Sequence, residues 1–209
     1  MKKLTLIIIA IACLVACTQK KTGSTQSDAT TIVNLITAIT GETNASAKYA
    51  LISKEALLQG QIGIAAMFAA ASYAETIHVQ NHTLVLNELG ETLEVEAEPQ
   101  ISEDLEENIQ TAIDGETEEF TQMYPPMIEK AKKENLMDAV KTFTYAKKAE
   151  ERHAFLYSET LELLKAGKSN EIATIWYVCP DCGNLFNTLE SYEICAICGV
   201  NKTNFIPFE

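Results

Sequence analysis

The sequence is short of basic and aromatic residues. It has 16 Lys and Arg against 29 Asp and Glu, a formal net charge of −13, and its aromatic content is 7%. Nucleic acid is therefore not an expected partner, because binding it needs clustered Lys and Arg. Few aromatics together with abundant Ala, Leu, Ile, Glu and Lys favour helices. Most carboxylates should lie on a solvated surface, but several fall where a helix should be apolar.

The N-terminal apolar run is too short to cross a bilayer as a folded helix. It covers residues 4–16, follows a short basic start and has the length of a signal-peptide core. Because it ends in Leu14-Val15-Ala16-Cys17, which resembles a bacterial lipobox, we predict a signal peptide over 1–16 and a lipid on Cys17. A polar tether over 17–31 would follow. The protein would then be exported and held by this anchor on a periplasmic or cell-surface membrane face. A plain signal peptide and an uncleaved anchor are the alternatives.

Four long helices are predicted from apolar residues at three- and four-residue steps, over 31–59, 64–89, 102–133 and 136–165. The first and last connections are short, whereas the middle one is long. One long crossover is typical of a ferritin-like four-helix bundle. Pro125 and Pro126 should kink the third helix or shift its register. We therefore predict a mainly α protein, with the bundle over 32–166, a linker over 167–174 and a small separate unit over 175–209.

Acidic residues interrupt the apolar stripe of every predicted helix. The second and fourth helices each carry a Glu-x-x-His pair, whose side chains share one face. Burying these carboxylates together would cost more free energy than a small domain supplies, unless cations neutralise them. Two bridged metal ions, each with an imidazole ligand, would do so, as in di-iron carboxylate bundles. The predicted set is Glu42, Glu75, His78, Glu116, Glu119, Glu150 and His153.

Three further residues lie on the same stripes. A single Glu-x-x-His pair is commonly just a solvated pair, but that reading does not explain the whole set. His82 shares a face with His78 yet has no acid assigned to it, so we predict a packed or supporting histidine. Tyr49 and Tyr124 are either core aromatics or phenols that hydrogen-bond to metal-binding carboxylates.

The C-terminal unit contains two C-x-x-C-G motifs, which predict a tetrahedral four-thiolate metal site. Its ligands would be Cys179, Cys182, Cys195 and Cys198. Iron and structural zinc both fit this spacing. Two disulfides are a further alternative in an exported protein, although bridges within C-x-x-C pairs are strained.

Over residues 31–205 the sequence resembles the rubrerythrin family. Gly115-Glu116-x-x-Glu119-Phe120, followed by Met123-Tyr124-Pro125, is similar to a motif of the family's third helix. The C-terminal unit is similar to the family's rubredoxin-like module. The resemblance also implies that Tyr49 and Tyr124 support the ligands and that one iron leaves Glu119 for His78 on reduction. The implied di-iron ligands are Glu42, Glu75, Glu116, Glu119, Glu150 and His153.

The resemblance further implies a peroxidase that reduces hydrogen peroxide to water. Electrons would reach the two non-haem iron ions through an iron tetrathiolate, from a redox donor protein or reductase. Glu119 would move protons, and each four-cysteine module would serve the partner subunit of a homodimer. The alternatives are a ferroxidase or iron-handling protein, and a non-catalytic metal-binding surface lipoprotein with structural zinc. The lipobox departs from a family that is typically cytoplasmic, so the electron donor is left open.

Overall fold

The computed structural model describes residues 28–209, so the predicted signal peptide and Cys17 lie outside the described residues. Five α-helices and one π-helical turn make up the bundle. They are α1 (Asp28–Leu58), α2 (Ile62–Glu88), α3 (Leu105–Glu118), the π-helical turn (Glu119–Met123), α4 (Tyr124–Lys133) and α5 (Met137–Lys165). Helices α3 and α4 are consecutive across the π-helical turn and together form one helix of the four-helix bundle. The predicted ferritin-like bundle with one long crossover is confirmed, with the crossover between α2 and α3.

Helix α1 begins at Asp28, before the position where the tether was predicted to end. Thr31 is fully buried, and its hydroxyl donates to Glu134 Oε2 at 2.5 Å. This contact fixes the first turn of α1 against the end of α4. The polar composition of residues 28–31 does not indicate a helix, because the contact that holds this first turn comes from Glu134, which is distant in the sequence.

The π-helical turn separates α3 from α4 immediately before Pro125 and Pro126. A proline has no N–H to donate, but it is tolerated in the first turn of a helix, where that donor has no partner. The prolines occupy this position in α4, after the wider turn has changed the hydrogen-bond register. The predicted register shift is confirmed. Turns of this kind are frequent at functional sites, and this one carries Glu119.

Helix α2 is the apolar centre of the bundle. By length and hydropathy it would suit a membrane span, but 67% of its apolar window is buried inside the protein, as in a core helix. Small side chains between Ala65 and Ala74 let neighbouring helices approach closely. The same helix buries Glu75, His78 and His82, which is the main departure from an apolar interior.

The C-terminal unit is a three-stranded antiparallel sheet in the order β2-β1-β3. Its strands are β1 (Trp176–Val178), β2 (Leu185–Phe186) and β3 (Ile206–Phe208). Trp176, Val178 and Leu185 join the apolar core that α2 forms with its neighbours. The unit is therefore docked on the bundle of its own chain.

The connection from α5 to this sheet also packs on the bundle. After a 3-10 turn at Ser169–Glu171, Ile172 is buried against Gly63 at the start of α2. A Cβ at Gly63 would lie 2.7 Å from Ile172 Cγ2, so only glycine allows this approach. The segment predicted as a polar linker thus contains an apolar anchor.

Candidate metal centres

Six predicted side chains from four helices meet inside the bundle. Helices α1 and α3 contribute one glutamate each, and α2 and α5 contribute one Glu-x-x-His pair each. All six are buried, with exposed fractions of 2% or less. They are Glu42, Glu75, His78, Glu116, Glu150 and His153. We call this set the bundle site.

The bundle site is built from two overlapping groups of four potential ligands. In each group the ligand atoms lie within 4.8 Å of one another. The groups are Glu42, Glu75, His78 and Glu150, and Glu75, Glu116, Glu150 and His153. Glu75 and Glu150 belong to both groups, so their carboxylates are placed to bridge two ions. Each half then adds one glutamate and one histidine of its own.

Both histidines turn Nδ1 towards the carboxylates. His78 Nδ1 lies 2.8 Å from Glu75 Oε2 and 2.8 Å from Glu150 Oε1. His153 Nδ1 lies 2.7 Å from Glu150 Oε2. The i, i+3 spacing of the Glu-x-x-His motif sets the His78–Glu75 and His153–Glu150 contacts, because it places both side chains over the same turn, whereas the His78–Glu150 contact joins α2 to α5.

The opposite nitrogen of each ring binds the four-cysteine unit. His78 Nε2 lies 3.0 Å from the carbonyl oxygen of Cys182, and His153 Nε2 lies 3.1 Å from that of Gly183. A carbonyl oxygen only accepts, so each Nε2 carries the donated proton. The Nδ1 lone pair is then available to a metal, and a backbone carbonyl holds the ring, as is usual for metal-binding histidines.

Several buried polar atoms at this centre make no hydrogen bond of suitable geometry, although some of them lie only 2.7–2.8 Å apart. These are Glu42 Oε2, both carboxylate oxygens of Glu75 and of Glu150, His78 Nδ1 and His153 Nδ1. Buried polar atoms are normally satisfied, and these are the oxygens and nitrogens that would coordinate metal. The residues therefore fit two metal ions bound by carboxylate and imidazole.

The protonation behaviour of the metal-free centre shows the same need for positive charge. Burial raises the pKa of Glu42 to about 8, and the nearby Glu150 carboxylate acts in the same direction. Burial opposes a charge on His153, but Glu150 and Glu75 outweigh it and raise the pKa of this imidazole to about 9. Protons thus occupy the centre near neutral pH when cations do not.

Glu119 lies outside both groups of ligands. It is half-buried in the π-helical turn, and its Oε1 lies 3.9 Å from where a Cβ on Gly41 of α1 would be. Burial and the charge of Glu42 raise its pKa well above the usual range. The resemblance implied that Glu119 and His78 alternate as ligands, and of these two the structure places His78 in the site.

Two tyrosine hydroxyls bind the outer carboxylates, the name we give to Glu42 and Glu116 because each belongs to only one ligand group. The Tyr49 hydroxyl donates to Glu116 Oε1 at 2.6 Å, and the Tyr124 hydroxyl donates to Glu42 Oε1. Both rings are buried, so these bonds fix carboxylates that have no solvent to bind. Each half of the bundle site has one such tyrosine.

His82 does not belong to either ligand group. Its Nε2 lies 3.1 Å from the Tyr124 hydroxyl, and its Nδ1 lies 2.9 Å from Thr142 Oγ1. It therefore supports the site through Tyr124. Sequence reasoning missed Thr142, whose only signal is that it lies eight residues before Glu150 on the same face of α5.

The four-cysteine site brings all its predicted ligands together. Cys179 and Cys198 sulfur atoms are 3.3 Å apart, and those of Cys182 and Cys195 are 3.5 Å apart. These separations are far longer than a disulfide of about 2.05 Å, and all four cysteines are free. Such spacings suit the edges of a tetrahedron around one thiolate-bound ion.

The comparisons with known proteins agree with this geometry. A family model described as rubrerythrin matches residues 34–161. The chain belongs to the rubrerythrin family. It is 39% identical over 170 residues to rubrerythrin-2 of Clostridium acetobutylicum, covering 80% of this chain and 91% of that protein. It is 36% identical to nigerythrin of Nitratidesulfovibrio vulgaris, covering 85% of this chain and 86% of that protein.

Solved structures of nigerythrin share the fold. A mixed-valence state superposes with a TM-score of 0.78 at 34% identity, covering 92% of this chain and 90% of that one. A fully reduced, all-ferrous state gives a TM-score of 0.76 and covers 92% and 91% of the two chains. The ferritin-like bundle and the four-cysteine unit are thus features that this chain shares with rubrerythrin relatives.

Gly183 should be essential for docking the four-cysteine unit on His78. Its φ is +73°, and a Cβ there would lie 2.4 Å from His78 Nε2 and 3.0 Å from the Ala74 carbonyl oxygen. We expect Gly183→Ala to lower the free energy of unfolding of the metal-loaded protein by at least about 2 kcal/mol more than Gly199→Ala does. Chemical denaturation would measure both.

Gly199 is a matched control for this experiment. It ends the second C-x-x-C-G motif with a φ of +84°, and a Cβ there would meet nothing within 4 Å. Both alanines suffer the same backbone strain, and only one meets a histidine. Equal losses of stability would contradict the proposed role of the close contact.

Proposed function

We propose that this protein is a non-haem di-iron peroxidase that reduces hydrogen peroxide to water, with electrons supplied through iron in the four-cysteine site. Membership of the rubrerythrin family supports a di-iron oxidoreductase of the oxidative-stress type. The observation that carries the finer assignment is the direct hydrogen bonding of both bundle-site histidines to the Cys182–Gly183 backbone. Two metal centres joined in this way suit electron transfer better than separate structural roles.

The proposed electron route is short and entirely buried. Cys182 is a ligand of the four-cysteine site, and its own carbonyl oxygen accepts from His78 Nε2. The other nitrogen of that ring faces the bundle-site carboxylates. A second contact runs from Gly183 to His153. The route therefore crosses one hydrogen bond between a thiolate residue and an imidazole ligand.

The reaction consumes two electrons and two protons for each hydrogen peroxide and yields two water molecules. Two bound iron ions would supply Lewis acidity and one electron each. Glu75 and Glu150 would hold both ions, while Tyr49 and Tyr124 keep the outer carboxylates in place. Glu119 is half-buried and has a raised pKa, so it is suited to carry a proton to peroxide oxygen.

The resemblance implied a homodimer in which each four-cysteine unit serves its partner, whereas in this structure the unit contacts the bundle site of its own chain. Ile172, in the connection to this unit, is buried against the same bundle. We propose a homodimer in which electrons reach each bundle site through the four-cysteine unit of the same chain. A separate redox protein or reductase would be the electron donor.

Peroxidase activity is tested with anaerobically purified, iron-loaded protein. We expect hydrogen peroxide to oxidise the reduced protein at both sites and to be consumed with a reduced electron donor. Faster oxidation of free Fe²⁺ than of the donor would favour ferroxidase activity instead.

Metal analysis and the visible spectrum of the oxidised protein test the four-cysteine site, since ferric tetrathiolate is coloured. A colourless zinc site without turnover would support the non-catalytic lipoprotein alternative, because zinc has no redox chemistry.

Glu119→Ala should slow peroxide turnover by roughly a hundredfold while both metal sites still fill, because the proton carrier and alternative ligand is lost. Glu118→Ala is the matched control, since Glu118 precedes it at the end of α3 and is exposed. Stopped-flow kinetics and metal analysis provide the measurements. Full turnover in Glu119→Ala would contradict the assigned role.

The cell-surface location is proposed from the lipobox alone. We propose that Cys17 carries a lipid and that the mature protein is anchored to a bacterial membrane. Expressed in a bacterial host, the natural chain should partition with membranes, and Cys17→Ala should abolish lipid labelling and keep the signal peptide uncleaved. Labelling that persists in Cys17→Ala would contradict the anchor.

A further inference from the structure

A continuous chain of hydrogen bonds leaves the bundle site on the side of Glu42. Glu42 Oε1 accepts from the Tyr124 hydroxyl, whose oxygen lies 3.1 Å from His82 Nε2. On the other side of that ring, His82 Nδ1 lies 2.9 Å from Thr142 Oγ1. The three side chains beyond Glu42 are at least nine-tenths buried. We call Tyr124, His82 and Thr142 the relay.

The direction of every bond in the relay can be deduced. A metal-binding carboxylate only accepts, so the single Tyr124 proton points at Glu42. The phenol oxygen must then accept from His82 Nε2–H. A neutral imidazole with its proton on Nε2 has an accepting Nδ1, which takes the Thr142 hydroxyl proton. All three donors therefore point towards Glu42.

His82 is suited to act in its neutral form. Burial lowers its pKa to about 3, and the neighbouring His78 acts in the same direction. The relay therefore needs no charged form of His82 and would work by a shift of protons along existing hydrogen bonds.

The outer end of the relay reaches a cavity of about 360 Å³ between the bundle and the four-cysteine unit. Thr142 lines this cavity together with Asp138, Lys141 and Asp181. Leu84 and Val85 also line it, so the walls are partly apolar and partly charged. Water held by the charged side chains would reach Thr142, and this would give solvent protons a point of entry one residue away from His82.

Among residues 28–209, no histidine and threonine continue from the tyrosine in the other half of the bundle site. Tyr49 binds Glu116, but its ring is packed against Phe68 and Tyr157, with ring centroids 5.4 and 5.9 Å away. These neighbours belong to the main apolar core. The two halves thus match in their ligands and tyrosines but differ beyond the tyrosine, where only the Glu42 side continues through a histidine and a threonine.

We propose that Thr142, His82 and Tyr124 form a proton route from the cavity to Glu42, and that His82 and Thr142 are positioning residues for peroxide reduction. This inference rests on the peroxidase function proposed above. In one shift, a hydronium ion in the cavity gives a proton to Thr142 and leaves as water, Thr142 gives its own proton to His82 Nδ1, His82 Nε2 gives one to Tyr124, and Tyr124 gives one to Glu42, which releases it to peroxide oxygen. His82 then carries its proton on Nδ1 and returns to the Nε2 form before the next proton passes. One proton enters for each proton that peroxide takes up, and no electron moves along the relay.

The hydrogen-bond order is tested without any turnover. The chain has only three histidines, so ¹⁵N NMR of the zinc-substituted protein resolves each ring. We expect His82 to be neutral with its proton on Nε2 and a hydrogen-bonded Nδ1. Thr142→Val should shift the Nδ1 signal to that of a free acceptor. A proton on Nδ1 in the natural chain would overturn the proposed direction.

Kinetics test the route itself. We expect Thr142→Val and Thr142→Ala to slow single-turnover oxidation of the reduced, iron-loaded protein by peroxide by roughly tenfold, with a larger solvent deuterium isotope effect. Thr142→Ser should restore the rate, because it keeps the hydroxyl. Thr144→Val is the matched control on the same helix, since the Thr144 hydroxyl bonds only to the Val140 carbonyl oxygen.

The outcomes separate this inference from the function on which it rests. A natural chain that does not reduce peroxide would contradict the peroxidase proposal. If the natural chain is active, a Thr142→Val rate and isotope effect equal to those of Thr144→Val would overturn the relay. Equal slowing in Thr142→Val and Thr142→Ser would overturn it as well, because the hydroxyl would then not be the cause.

Discussion

Charge balance in the bundle site is the constraint on which the structure depends. Four glutamates and two histidines are buried where a four-helix bundle of this size would otherwise be apolar. Carboxylates at such a depth need nearby positive charge, from protons or from metal ions. Without metal, the pKa values of Glu42 and of His153 are raised, so protons and cations compete for the same atoms. Metal binding and pH are therefore linked in this fold.

The surrounding structure serves to hold this concentrated charge in one geometry. Tyr49 and Tyr124 bind the outer carboxylates, and the carbonyl groups of Cys182 and Gly183 orient the histidines. The closeness of these contacts explains the use of glycine at position 183. Ile172 packs in the core of the bundle next to the four-cysteine unit. The backbone of that unit in turn orients the two histidines of the bundle site.

The parts of the fold that repeat locally could be predicted from the sequence. Helical spacing identified the four helices of the bundle and seven candidate ligands, six of which meet in the bundle site, and the C-x-x-C-G motifs identified the four-cysteine cluster. Contacts between distant segments could not be predicted. Nothing near Thr142 indicates that it meets His82, and nothing near Thr31 indicates that Glu134 will bury it. The placement of Glu119 outside the ligand groups depends on a π-helical turn whose exact position is set by tertiary packing.

The two-sided attachment of His78 has a consequence for the timing of electron supply. The same ring faces the carboxylates through Nδ1 and the Cys182 backbone through Nε2. Any movement that withdraws His78 from the carboxylates must also stretch or break its bond to the cysteine unit. In the proposed electron route, metal coordination and electron transfer would therefore depend on the same imidazole ring, and a change in one would change the other. His153 has its own contact with Gly183. If His78 moves, the Glu42 half of the site would therefore lose its proposed electron route while the Glu116 half would keep one.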